Sequence, residues 1–112
     1  MSFFVDGTDT ARKHDLLVHS SKSANLGATA IMCRWKRNAV QSFGEDNELT
    51  KHYEEILKTL REQREKIHVG DESAMQEAMT LSKEINKKYG KIKEQDISKN
   101  DHIALRKPDG PI

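Results

Sequence analysis

The side chains with the most chemical potential in this 112-residue sequence are five histidines, one cysteine and a short basic run around the single tryptophan. A helical zinc pair needs histidines at i and i+4, so that both rings reach one face. His14 and His19 are five apart, and His52, His68 and His102 are farther from any other histidine. His52 is followed by Tyr53, Glu54 and Glu55, which is not the HExxH order. Solvated helical histidines are the expectation, with no metal site and no cofactor.

Cys33 stands beside Arg34, and a neighbouring cation can lower a thiol pKa. It also stands among Ile31, Met32 and Trp35, where a small hydrophobe fits equally well. A single cysteine excludes a disulfide framework or a thiolate cluster within one chain and suits a reducing compartment. Neither a GxSxG elbow nor a P-loop occurs. Paired carboxylates such as Glu54 and Glu55 fall on a charged face without the apolar surroundings that raise a pKa. The residues therefore point away from an enzyme.

Arg34, Trp35, Lys36 and Arg37 allow three readings. The cations could follow a phosphate backbone while Trp35 stacks on a base. They could grip an acidic protein surface with Trp35 as anchor, since Trp and Arg dominate interface energetics. Or Trp35 faces the chain's own core and its neighbours are solvated. The near balance of 19 basic and 18 acidic residues weighs against a dedicated nucleic-acid binder. The balance shifts along the chain, from six basic and three acidic residues in 1–44 to thirteen and fifteen in 45–112.

The elements that must position these residues are helices. Leu49, Tyr53, Ile56, Leu60, Gln63 and Ile67 alternate by four and three, a seam for packing on another helix. Glu54 with Lys58 and Glu62 with Lys66 place the acid four residues before the base, the better orientation on a helix. Gly70 ends this element and Asp71 caps the next, whose seam comprises Met75, Ala78, Ser82, Ile85 and Tyr89, with Gly90 closing it. A two-residue connection favours an antiparallel helical hairpin. The fold class is all-α: a hairpin over about 46–69 and 71–89, and a preceding helix over about 28–43 bearing Ile31, Met32, Trp35, Ala39 and Phe43.

Three segments follow: an arm over 1–23 with a short helix at 11–19 and a break at residues 20–23, a helical region over 24–90, and an extended or disordered tail over 91–112. Pro108 and Pro111 forbid a helix near the end of that tail. Apolar Phe3, Phe4, Ile97, Ile103, Ala104 and Leu105 lie in these arms, where they could run along a neighbour's groove.

Leu, Ile, Val and Phe number 23 of 112, near the level at which chains stop folding alone. The hairpin thus needs a third surface, from the Trp35 helix, a second copy or another protein. The longest apolar run, residues 30–33, is far short of the roughly 20 residues of a membrane span, and the N-terminus lacks the pattern of a signal or transit peptide. A soluble, intracellular, cytoplasmic or cytoskeletal protein is expected.

The leading functional reading is a non-catalytic structural or assembly component of a larger protein complex, with Arg34, Trp35, Lys36, Arg37 and Phe43 meeting the partner. A filament lattice such as an axonemal microtubule wall would suit it, as would an accessory position in an organellar complex. The alternatives are a reversible adaptor working as a coiled-coil dimer, and a small RNA- or DNA-binding protein using Arg34 and Arg37.

Overall fold

The computed structural model describes residues 2–106, with side chains from Arg12 onward. The chain forms α1 (Ser2–Phe43), α2 (Glu48–His68), α3 (Glu72–Tyr89), a short 3-10 turn (Glu94–Asp96) and α4 (Lys99–Leu105). The fold is all-α, and α2 and α3 form the hairpin that the seam spacing requires. The molecule is a rod of 62 × 23 × 22 Å. Its long dimension is that of α1, since 42 residues at about 1.5 Å each give about 63 Å.

Local chemistry fixes both sharp turns. Gly44 ends α1 with φ of 88° and donates its N–H to the Val40 carbonyl, while Asn47 caps α2 by accepting from the Leu49 N–H. At the hairpin tip Gly70 has φ of 91°. Gly70 N–H donates to the Ile67 carbonyl and Asp71 N–H to the Lys66 carbonyl. That nested pair satisfies two carbonyls at the helix end and requires a left-handed residue at Gly70. The Asp71 carboxylate then accepts from the Ala74 N–H and starts α3.

α1 is the third surface of the hairpin. It packs against both α2 and α3, running antiparallel to α2 and parallel to α3. Ala28, Met32, Trp35 and Ala39, spaced four, three and four, are buried along it. They meet Leu49, Tyr53, Ile56, Leu57 and Leu60 of α2 and Ile85 and Tyr89 of α3 in the main apolar cluster. A smaller cluster at the hairpin tip joins Ile67, Ala74, Met75 and Ala78, with Leu17 and Val18 packed against it.

Two sequence expectations are corrected. No break separates residues 11–19 from 28–43: α1 is continuous through residues 20–23. Ser21 is buried and its hydroxyl donates to the Val18 carbonyl, so the polar side chain is satisfied on the helix's own backbone. Contacts of Leu17 and Val18 on one side, and of Asn25 on the other, hold the intervening turn helical despite its poor propensity. The tail is also not simply extended. Ser98 and Asp101 form a reciprocal capping box that starts α4, and Ile92, Ile97 and Leu105 pack on the main cluster. Pro108 and Pro111 lie outside the described residues.

Candidate functional site

The residues expected to meet a partner divide between inside and outside. Trp35 is 1% exposed. Its indole N–H donates to the Tyr89 carbonyl at 3.2 Å, and its ring packs edge-on against Tyr89 and His102, with centroids 5.2 and 5.1 Å apart. The reading of Trp35 as a surface anchor is therefore corrected: the indole serves the chain's own core, on one stripe with Ala28, Met32 and Ala39. Phe43 is half-buried and lies 5.7 Å from the His102 ring.

The basic neighbours face outward and are largely paired within the chain. Lys36 Nζ is 3.1 Å from Glu54 Oε2, and Arg37 pairs with Glu94. Arg34 is half-buried. Lys36 and Arg37 line an open depression of about 380 Å³ with Cys33, Val40, Gln41 and Glu45. A second groove of about 440 Å³ lies between Thr59 and Gln63 of α2 and Gln76, Thr80 and Glu84 of α3. The seam residues Leu49, Tyr53, Ile56, Leu60, Ile67, Met75, Ala78, Ile85 and Tyr89 are all buried.

Sequence reasoning missed two clusters. At mid-rod, buried Asn25 donates through its amide to the Leu60 carbonyl and to Gln63 Oε1. Arg64 Nε donates to Asn25 Oδ1 and Arg64 Nη2 to Thr29 Oγ1. The Thr29 hydroxyl donates in turn to the Asn25 carbonyl. The side-chain oxygen and amide of Asn25 are thus both engaged, and this network fixes α1 against α2. Gln63, the polar exception in the α2 seam, was its only sequence trace.

The second cluster closes the other end of the rod. His102 of α4 is fully buried among Trp35, Phe43 and Tyr53, and its Nδ1 shares a 3.1 Å hydrogen bond with the Tyr53 hydroxyl. Burial pushes the Tyr53 hydroxyl pKa up, with Tyr89 adding to the effect, and pushes Tyr89 up to about 12. Burial lowers the pKa of His102, against an opposing pull from Asp101. It lowers that of His52 too, helped by Lys88 and Arg106. Tyr89 Oη, His52 Nε2 and His102 Nε2 are buried without a hydrogen-bond partner among the described residues. The spacing of Ser98 and Asp101 was the signal that could have revealed this docking helix.

His14 lies 3.3 Å from Glu72. Among the described residues no three His, Cys, Asp or Glu side chains come together in a group that could hold a metal. No described helix is long and apolar enough to cross a membrane.

Fold and site together define a class: an elongated three-helix bundle, sealed at one end by a docked C-terminal helix around a buried histidine. No protein-family model, curated protein or solved structure matches the chain.

Proposed function

We propose that this protein is a non-catalytic structural or assembly component that binds other proteins, and that it does so through the part of α1 that runs past the hairpin tip. The observation carrying this reading is the overhang of that helix. His14 meets Glu72 in the first turn of α3, and Leu17 and Val18 pack at the hairpin tip, yet α1 begins at Ser2. Twelve residues, about 18 Å at 1.5 Å per residue, extend past the α2–α3 tip. A helix held out from a rigid base can be laid into a partner's groove. Leu16, at the root of the overhang, is 60% exposed.

The core no longer requires a partner to complete it, because α1 covers the hairpin. The partner surface moves accordingly, from the Trp35 region to the arm. Internal pairing of Lys36 and Arg37 with Glu54 and Glu94 leaves a weak basis for phosphate binding. A place in a filament lattice or in an organellar assembly belongs to the same proposal, as the habitat in which a rod with a protruding helix has work to do.

The test is co-purification of the tagged full chain from its native source, beside a variant lacking residues 1–11. The full chain should elute in a complex much larger than 12.8 kDa with a partner in fixed stoichiometry. The shortened chain should keep its helical circular dichroism per residue and lose that partner. Elution of the full chain as a free monomer, or undiminished partner recovery with the shortened one, defeats the reading.

A further inference from the structure

We propose that residues 91–106 form an acid-released latch: neutral His102 seats the segment on the aromatic end of the bundle, and protonation of its ring undocks it while α1, α2 and α3 stay folded.

The segment has few other strong attachments. Ile92, Ile97 and Leu105 are only partly buried against the main cluster. Arg37 with Glu94 and Arg106 with Glu48 are ion pairs between half-exposed or exposed side chains, a kind that contributes little. Lys99 Nζ sits 5.7 Å from the Phe43 ring centroid. His102, by contrast, is the one fully buried side chain of α4.

The surroundings of His102 favour a neutral ring, with Asp101 alone pulling the other way. From α1 it meets Trp35 and Phe43, which carry no charge. From α2 it meets Tyr53, whose hydroxyl can serve one ring nitrogen, with His52 beside Tyr53. α3 contributes Tyr89, packed on both Trp35 and Tyr53, with Lys88 Nζ over its ring. Within its own helix Asp101 favours the charged form, but its carboxylate is committed to the Ser98 N–H and hydroxyl in the capping box; Lys99 and Arg106 are cationic. An imidazolium has two N–H donors. Whichever neutral tautomer is protonated, the ring then carries an N–H at Nε2, which has no acceptor among the described residues, so protonation leaves a buried charge with an unsatisfied donor.

Burial lowers the His102 pKa from its ordinary 6.5. The direction follows from linkage: the docked state holds fewer protons than the released one, so docking is at full strength above 6.5. It weakens as the pH falls through the lowered value. Histidine is the side chain whose charge changes in this range.

The experiment is amide hydrogen exchange on the full chain at pH 8 and pH 5, corrected for intrinsic exchange rates. Trp35 fluorescence is followed in parallel, since this is the only tryptophan and it touches the His102 ring. Amides of 99–105 should lose at least tenfold of their protection at pH 5 while those of 53–60 keep theirs. His102→Phe, which fills the cage without a titrating group, should abolish the pH dependence, and His52→Gln should leave it in place. If His102→Phe does not fold, the ring of His102 is titrated by NMR in the natural chain. A pKa at or above the ordinary value overturns the proposal. So do constant protection of 99–105, loss of protection in 53–60 together with it, or a pH response that survives His102→Phe or disappears in His52→Gln.

Discussion

Asn25 shows how one polar side chain can set the relation between two helices. Its amide serves the Leu60 carbonyl and Gln63, and its oxygen receives Arg64. Replacing it with Leu takes the Asn25 donor from the buried Gln63 oxygen and the acceptor from Arg64 Nε, while the Leu60 carbonyl keeps its own helix bond; the loss costs about 1–3 kcal/mol. Asn25→Leu should lower the urea midpoint by the corresponding amount with an unchanged slope. A midpoint equal to that of the natural chain would show that the network is dispensable. Asn25 carries no periodic signature, and only Gln63 hinted at a polar layer. Trp35 was legible as a residue that must be buried, but not by what. A stripe containing Ile31, Met32 and Ala39 has the same pattern whether it faces its own chain or a partner, because both remove the same apolar surface from water.

At the level of elements the hairpin was the most legible part. Its four-and-three spacing, the left-handed Gly70 and the capping Asp71 all act within a few residues of one another. α1 was harder, because residues 20–23 and Gly27 are weak helix formers and their continuity depends on contacts from α2 and α3. α4 was missed for a related reason: seven residues do not make a stable helix in isolation, and its docking depends on a histidine, a residue type not ordinarily counted as core. Gly27 gives a direct test of the continuous α1. It is exposed in mid-helix, and a Cβ added there would meet nothing within 4 Å. Gly27→Ala should therefore stabilise the protein by about 0.5–1 kcal/mol, visible as a thermal midpoint higher by a few degrees. A lower midpoint would contradict an uninterrupted helix at this position.

Across the whole molecule the core is divided. On α1 the main cluster takes residues 28–43 and the tip cluster 17 and 18; on α2 they take 49–60 and 67; on α3, 81–89 and 74–78. Buried Ser21 and Asn25 of α1 and Gln63 of α2 fall between the two. The tip cluster has one bulky side chain from α2 and one from α3, Ile67 and Met75, whereas the main cluster includes Trp35, Tyr53 and Tyr89. Local opening should follow this inequality. Native-state hydrogen exchange in low denaturant should show amides of 67–78 opening at lower free energy than those of 53–60 and 85–89. Equal protection throughout would mean that the polar layer does not divide the rod's cooperativity.

The direction of α1 has a consequence for anything attached to the protein. Ser2 lies beyond the α2–α3 tip, while Arg106 is tied to Glu48 at the opposite extremity. Bodies fastened to these two positions would be kept apart by nearly the full 62 Å of the long axis, with an unbroken helix as the strut. Tension applied between them would load the joint between α4 and the aromatic cage before it reached the hairpin.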